Sequence, residues 1–259
     1  IMKNARFLFL GLCGLFIAAA VHAADELNQE REDLFAPILQ DPRLQTELMR
    51  NSQTIPEDFN YAALFGADVD VLLVGEEHHD PIPARDINLM IKNLMENRAG
   101  LTHVAVEFLL SSEQPFLDAF AAGKISYEEL REKCKLKNRT FVAEVAKRYK
   151  VQVVGLDVPR AQEDYQWAMS YEGLTARNKA WVAKILAIKK QNPRAKILLH
   201  AGSFHTQLSA KYGPTVPQLL KQNGLKVKTM EFVSSHEQLW KKLNIGGKYD
   251  RLFTIPSDL

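Results

Sequence analysis

Apolar and polar positions alternate along most of the chain with two different periods. Short runs rich in Val, Ile and Leu, bounded by glycine or polar residues, predict buried β-strands. Between these runs, apolar residues recur every three or four positions, as Ile87, Met90, Ile91 and Leu94 do, which is the pattern of a helix with one buried face. The predicted strands lie at residues 69–74, 102–106, 151–156, 195–200, 225–232 and 252–255.

The helical pattern covers most of the intervening segments, and capping residues mark where some of the helices begin. Ser126, with Glu129 three positions later, forms a capping box. Asp41 followed by Pro42 is typical of a helix start within the charged, amphipathic segment 25–52. Residues 51–58 predict a loop. The other predicted helices lie at residues 83–97, 111–120, 139–149, 160–169, 174–191, 206–212 and 215–223.

The first 23 residues have the pattern of a secretory signal peptide. Lys3 and Arg6 precede a stretch of fifteen uncharged residues, Phe7–Val21, and Ala23 provides a small residue at the cleavage site. Fifteen residues are fewer than the roughly 20 that a membrane span needs. We therefore expect export across the inner membrane and a periplasmic or envelope location. Cys13 follows Leu12 rather than a small residue, so membrane association is expected only if the chain is lipidated or its signal stays uncleaved.

Alternating strands and helices in the rest of the chain predict an α/β fold, with a mainly parallel β-sheet covered by helices on both faces. No linker rich in proline, glycine or serine divides the sequence, so we expect a single domain. We therefore divide the chain into a signal peptide at residues 1–23, an N-terminal helical segment at 24–58 and an α/β domain at 59–259.

Charge and cysteine content narrow the choice of partners. The chain has 259 residues, 33 of them basic and 31 acidic, for a net charge of +2. Lys3 and Arg6 account for that excess, so the chain after residue 23 is formally neutral, which argues against nucleic-acid binding. Cys134 is the one thiol left after residue 23, and we expect it to be a small buried apolar side chain.

Ionisable side chains follow four of the predicted strands, at the point where each strand ends. They are Glu76, His78 and His79 after the first strand, Glu107 after the second, Asp157 and Arg160 after the third, and His200 and His205 after the fourth. Because the carboxyl ends of parallel strands meet at one edge of a sheet, we expect these side chains to form a functional edge. His78, His205 and Glu107 are the residue types that hold a divalent metal ion, and we take them as candidate ligands.

Four short blocks follow one another in a fixed order. They are Val74-Gly75-Glu76-Glu77-His78, Val104-Ala105-Val106-Glu107-Phe108, Val154-Gly155-Leu156-Asp157-Val158-Pro159-Arg160 and Ala201-Gly202-Ser203-Phe204-His205. In this order and spacing, the chain over about residues 60–233 resembles the ChaN-like haem-binding uptake proteins of the Tiki superfamily. That superfamily also includes the Tiki metalloproteases, TraB-like proteins and erythromycin-esterase-like enzymes. Two departures are Asp80, one residue later than the usual acid, and Asp157, where members often have Asn.

The resemblance implies a parallel α/β fold and an envelope protein that binds haem in iron uptake. In some members the protein is a dimer that buries haems at its interface. A tyrosine serves as the haem ligand in the family, and Tyr212, just beyond the His205 loop, is our candidate for it. Arg160 is the candidate partner of the haem propionates. The founding members are lipoproteins, whereas Leu12 before Cys13 departs from their signal.

The hydrolase relatives imply an alternative, a metal-dependent periplasmic protease or esterase. In that hypothesis His78 and His205 hold a divalent ion or act as bases, and Glu76 or Glu107 activates water. Arg160 stabilises the anionic intermediate. A third alternative is a binding module whose polar edge contacts another protein. The sequence leaves open whether the chain is an enzyme, and it predicts haem or another small molecule as the ligand, with no nucleic acid.

Overall fold

The structure is a computed structural model that describes residues 52–54, 59–76, 82–135, 140–207, 213–234 and 251–255. The predicted signal peptide, the helical segment 25–52 with its start at Asp41, and the side chains of His78, His79 and Tyr212 lie outside them.

Seven described strands form one sheet in the order β1-β7-β6-β2-β5-β3-β4, and every neighbouring pair is parallel. The strands are β1 (Ser52–Thr54), β2 (Val71–Glu76), β3 (Leu101–Leu110), β4 (Gln152–Asp157), β5 (Lys196–Gly202), β6 (Val227–Ser234) and β7 (Arg251–Ile255). All residues of β2 are buried, as expected for a strand covered on both faces. The sheet therefore brings the carboxyl ends of β2, β5, β3 and β4 together at one edge.

The helices connect these strands and cover the sheet. They are α1 (Tyr61–Phe65), α2 (Ile82–Glu96), α3 (Gln114–Ala121), α4 (Tyr127–Lys133), α5 (Phe141–Arg148), α6 (Pro159–Glu163), α7 (Tyr165–Ala168), α8 (Tyr171–Gln191), α9 (Ser203–Thr206) and α10 (Val216–Gln222), with a 3₁₀ turn at Ser111–Glu113. The predicted capping box at α4 is confirmed, because the Ser126 hydroxyl accepts from the Glu129 N–H and the Ser126 N–H donates to the Glu129 carboxylate. No described helix is long and apolar enough to cross a membrane.

Two apolar clusters, one on each face of the sheet, form the core. Leu72 and Val74 of β2 pack in the first cluster with the apolar face of α2. Val71 and Leu73 pack in the second cluster with Trp181 of α8. This alternation follows from the two-residue period of a strand, and it places helices on both faces of a parallel sheet. The predicted fold class is confirmed.

The ends of several predicted elements differ from the sequence prediction. β3 continues to Leu110, four residues beyond its predicted end, and β5 continues to Gly202. Residues 52–54 form a strand where a loop was predicted. The prediction was wrong because these three residues are a strand only through their hydrogen bonds to β7, which is distant in sequence. The predicted helix 160–169 is two helices, since Asp164 stops α6 and its side chain caps α7 by accepting from the Trp167 N–H.

An irregularity in β3 determines where Glu107 is placed. Val106 pairs with Gly155 and Leu110 pairs with Asp157, so β3 advances four residues while β4 advances two. The extra residues bring the Leu110 carbonyl against Gly155, where a Cβ atom would lie 2.4 Å from that oxygen. The Gln114 side chain donates to the Val153 carbonyl and accepts from the Gly155 N–H. The chain thus leaves regular strand pairing between Val106 and Leu110, the segment that contains Glu107.

Candidate functional site

Two sets of buried polar side chains lie at the carboxyl edge of the sheet, on opposite faces. Glu76 lies two residues beyond Val74 on β2, so its side chain points to the face of the first apolar cluster. Ala105 on β3 belongs to the second cluster, and Glu107, two residues further, lies on the face covered by α8. The face covered by α8 holds more of the predicted site residues.

One guanidinium group bridges two carboxylates on that face. Arg177 of α8 donates from Nε and Nη2 to the two Asp157 oxygens at 2.9 and 3.1 Å. Its Nη2 atom also donates to Glu107 Oε1 at 2.6 Å. Glu107, Asp157, Arg177, Asn178 and His205 are all at most 5% exposed, and we call these five residues the Arg177 cluster. A buried ion pair of this kind is costly to desolvate, which makes it a functional candidate as well as a structural one.

The electrostatics of the Arg177 cluster favour a charged arginine and a neutral histidine. Burial acts to lower the pKa of Arg177, but the charges of Glu107 and Asp157 outweigh it, and the pKa is raised. Burial lowers the pKa of His205 by more than the Glu107 carboxylate raises it. Burial also raises the pKa of Asp157, against the opposing effect of Arg177. The imidazole of His205 is therefore neutral near pH 7.

The turn that carries His205 is fixed from several sides. The Gly202 N–H donates to Glu107 Oε2 at 2.6 Å. The Ser203 hydroxyl lies 3.1 Å from the Glu76 carbonyl and within hydrogen-bond distance of the Glu231 carboxylate. The ring of His205 lies against the Trp181 ring in a tilted arrangement, with the centroids 4.3 Å apart, and its Nε2 atom lies 3.4 Å from Glu107 Oε1. The predicted proximity of Glu107 and His205 is thus present in the structure.

A second buried pair lies on the other face of the sheet. His200 Nε2 is 2.7 Å from Glu76 Oε2, and both side chains are fully buried. The ring of Phe108 meets the His200 ring edge-on, with the centroids 6.4 Å apart. His200 Nδ1 has no hydrogen-bond partner among the described residues. Glu76 therefore binds His200, whereas Glu107 binds Arg177 and the His205 turn, so the two glutamates have separate surroundings.

The structure places the predicted arginine away from this site. The Arg160 side chain is 59% exposed, pairs with Asp164 at 3.7 Å and lies over the Trp167 ring at 4.4 Å. The guanidinium that contacts Glu107 belongs instead to Arg177, which sequence analysis missed. A signal was present, because Arg177 lies four residues before Trp181 and hence on the stripe of α8 that faces the core.

The described residues do not form a metal site. No group of three or more His, Cys, Asp or Glu side chains with metal-binding geometry occurs among them. The two oxygens of Glu107 accept hydrogen bonds from the Arg177 guanidinium and the Gly202 N–H. These donors compete with a metal ion for the carboxylate. His78, the other predicted metal ligand, lies outside the described residues.

The chain matches a protein-family model over a segment that contains most residues of the Arg177 cluster. Residues 66–184 match the family described as haem-binding uptake, Tiki superfamily, ChaN. The matched segment contains Glu76, Glu107, Asp157 and the Arg177-Asn178 pair, and it ends before the His205 turn. A search of curated protein sequences found no match.

Solved structures with a similar fold come from toxins and enzymes. RRSP, a MARTX toxin effector domain of Vibrio vulnificus CMCP6, has a TM-score of 0.53 and 21% identity, over 74% of this chain and 38% of the toxin chain. A mutant of the erythromycin esterase EreC has a TM-score of 0.53 and 12% identity, over 68% of this chain and 74% of its own. ChaN of Campylobacter jejuni, solved with cofacial haem, has a TM-score of 0.47 and 18% identity, over 72% and 87%. The toxin and the esterase establish similarity of fold alone.

Proposed function

We propose that the protein binds haem and serves in its uptake, because residues 66–184 match the family described as haem-binding uptake, Tiki superfamily, ChaN. The family match is the observation on which the proposal rests. The pattern of residues 1–23 supports an exported protein, so we place this activity in the periplasm or envelope. Haem supplies the iron that such a system acquires.

Exposed aromatic side chains that follow β4 in the sequence offer groups of the kind that bind haem. Haem requires an axial ligand, an apolar face and cations for its propionates. Tyr165 is 76% exposed, Tyr171 63% and Met169 40%, and all three follow Arg160 within eleven residues. We call Arg160, Tyr165, Met169 and Tyr171 the aromatic surface. Its phenols are candidate ligands beside Tyr212, and Arg160 remains the candidate propionate partner.

Titration of the haem-free full chain with haemin tests the proposal. We expect a Soret band that shifts and saturates at a fixed stoichiometry, and a titration without saturation would reject haem binding. Tyr165→Phe, Tyr171→Phe and Tyr212→Phe then locate the ligand, since loss of an axial phenolate changes the Soret position. Tyr149→Phe is the control, because the Tyr149 hydroxyl binds Glu96 of α2 and does not belong to the aromatic surface. Three variants with the wild-type spectrum would reject these tyrosines as ligands.

Dimer formation is part of this proposal. Two copies that share haem between them would bury apolar side chains that are exposed in the single chain, such as Tyr165 and Tyr171. We expect sedimentation velocity to give a monomer without haemin and twice that mass with it. An unchanged mass in the presence of saturating haemin would reject a haem-linked dimer.

A second candidate function, hydrolysis of an ester or peptide bond, is favoured by the Arg177 cluster. A neutral His205 beside Glu107 is suited to accept a proton from water or from a nucleophile. The described residues form no metal site, so this hypothesis assigns general acid–base roles to His205 and Glu107 and derives no step through a metal ion. The exposed Arg160 pairs with Asp164, and Arg177 supplies the cationic group at this face.

A panel of chromogenic esters and quenched peptides tests hydrolysis. If Glu107 takes part, Glu107→Gln lowers kcat/KM by about 100-fold or more, in the range for a general acid or base. Asp118→Asn, an exposed carboxylate on α3, is the matched control and should keep the wild-type rate. Equal rates for wild type and Glu107→Gln, or no turnover of any substrate in the panel, would reject this activity at the Arg177 cluster.

A further inference from the structure

The side chain of Asn178 has one orientation in the Arg177 cluster. Its Nδ2 atom lies 2.9 Å from the carbonyl oxygen of Pro214, which only accepts hydrogen bonds. The amide nitrogen must therefore face Pro214, and the amide oxygen must face the opposite direction. This contact removes the ambiguity that amide side chains otherwise have.

The oxygen of Asn178 in turn fixes a proton on His205. His205 Nδ1 lies 2.5 Å from Asn178 Oδ1, and an amide oxygen has no proton to donate. The Nδ1 atom must therefore carry the hydrogen in this contact. In the neutral imidazole, the other nitrogen, Nε2, is then unprotonated, and it faces Glu107 Oε1 at 3.4 Å.

The ring is held in this position by residues of the same helix. Trp181, three residues after Asn178, lies against the His205 ring with an interplanar angle of 37°. The Arg177 guanidinium lies 5.3 Å from the centre of the Trp181 ring and anchors Glu107. Three residues on one face of α8 thus position His205. Trp181 sets the plane of the ring, Asn178 determines which ring nitrogen donates a hydrogen bond, and Arg177 holds the carboxylate of Glu107 opposite the ring.

We propose that Asn178 is a positioning residue that fixes His205 in the tautomer with hydrogen on Nδ1, so that Nε2 is the nitrogen that exchanges protons. Arg177, Asn178 and Trp181 together form a cradle for that ring. The consequence for chemistry is specific, because a base at Nε2 takes its proton on the side of the ring that faces Glu107. The use of this nitrogen rests on the second candidate function, but the assignment of the tautomer does not.

The tautomer is measured directly by two-bond ¹H–¹⁵N correlation spectra of the full chain labelled with ¹⁵N-histidine. Spectra recorded at about pH 8, above the ordinary histidine pKa, show neutral rings, and His205→Gln identifies the His205 signals by their loss. We expect the wild-type ring to show a protonated Nδ1 and an unprotonated Nε2. A wild-type ring protonated at Nε2 would overturn the proposal without bearing on hydrolysis.

Two variants test the role of Asn178 itself. Asn178→Leu removes the acceptor, and we expect the proton to move to Nε2, where the Glu107 carboxylate accepts it. Asn178→Asp keeps an oxygen in the same place and is expected to retain the Nδ1 proton. An unchanged His205 tautomer in a folded Asn178→Leu protein would overturn the role of Asn178. Loss of the Nδ1 proton in a folded Asn178→Asp protein would overturn it as well.

Discussion

Arg177 neutralises two carboxylates, Glu107 and Asp157, that burial would otherwise leave without a positive charge. Its guanidinium suits this role because it offers several N–H groups in one plane and remains protonated in a buried site. A lysine in its place would make one point contact and lose more of its charge to burial. The identity of this residue therefore determines whether Glu107 and Asp157 have a cationic partner in this buried site.

Replacement of Arg177 by Met should cost about 3–5 kcal/mol in the free energy of unfolding, because it leaves two buried carboxylates unpaired. Urea titration followed by circular dichroism measures the change. Lys179→Met, an exposed position on the same helix, should stay within about 0.5 kcal/mol of wild type. Adding Glu107→Gln and Asp157→Asn to Arg177→Met should recover part of the loss. An Arg177→Met protein as stable as the Lys179→Met protein would contradict this account.

Cys134 is buried at 2% exposure, as the sequence predicted, and this suppresses its reactivity. Burial and the nearby charge of Glu113 raise the pKa of the thiol to about 12. In the chain with Cys13→Ser, we expect no reaction with an aromatic disulfide at about pH 8.5, where an ordinary thiol is half ionised. The same reagent should titrate one thiol in denaturant. Native labelling as fast as labelling in denaturant would disprove this burial.

At the scale of the secondary-structure elements, the carboxyl edge of the sheet is shaped by an irregularity in strand pairing and by a close approach of a helix to a strand. β3 gains residues against β4 just where Glu107 lies, and Gly155 provides the room that this irregularity needs. On β2, Gly75 allows Thr206 of α9 to approach, since a Cβ atom there would lie 2.6 Å from Thr206 Oγ1. Two glycines, Gly155 on β4 and Gly75 on β2, therefore admit the segments that place Glu107 and His205.

The substitution Gly155→Ala tests the irregularity in β3. The new methyl group meets a backbone oxygen, which cannot rotate away, so we expect a loss of about 1–3 kcal/mol in unfolding free energy, in the range of overpacked cores. Hydrogen exchange should rise at the amides of residues 107–110. Gln152→Ala, at an exposed position of the same strand, serves as the control. Wild-type stability together with unchanged exchange would mean that β3 does not depend on Gly155.

At the scale of the whole molecule, charge and export are connected. The net charge of +2 comes from Lys3 and Arg6, which lie in the predicted signal peptide, so the exported chain would be formally neutral. A neutral chain with one polar edge suits a small ligand better than a polyanion such as DNA. The formal neutrality of the exported chain therefore fits the proposal that it binds haem.

Expression of the full chain in a Gram-negative host tests the location. We expect the protein in the periplasmic fraction, with an N-terminal sequence that begins at Ala24. Replacing Lys3 and Arg6 by Glu should slow processing, because the basic start of a signal peptide is part of its recognition. Lys179→Glu, an exposed change outside residues 1–23, should not. An intact N-terminus in the cytoplasm would reject the predicted signal peptide.

The sequence predicted those features of the candidate site that depend on residues close to one another along the chain. The parallel strands that carry Glu107, Asp157 and His200 were predicted because apolar runs and the residues after them are adjacent in sequence. Arg177 was missed because it lies in the middle of a helix, and only packing against β3 and β4 makes it a partner of their carboxylates. Arg160 follows a strand end just as Glu107 does, yet its side chain turns to solvent.

The sequence by itself determined the fold class, the family resemblance and the edge of the sheet at which polar side chains gather. These follow from hydrophobic period and strand order, which are local properties. Only the tertiary structure decided that Glu76 and Glu107 lie on opposite faces and that Arg177 and Asn178 govern the face with His205. The physical reason is that a side chain's pKa and hydrogen-bond partners depend on groups brought near it from distant parts of the chain.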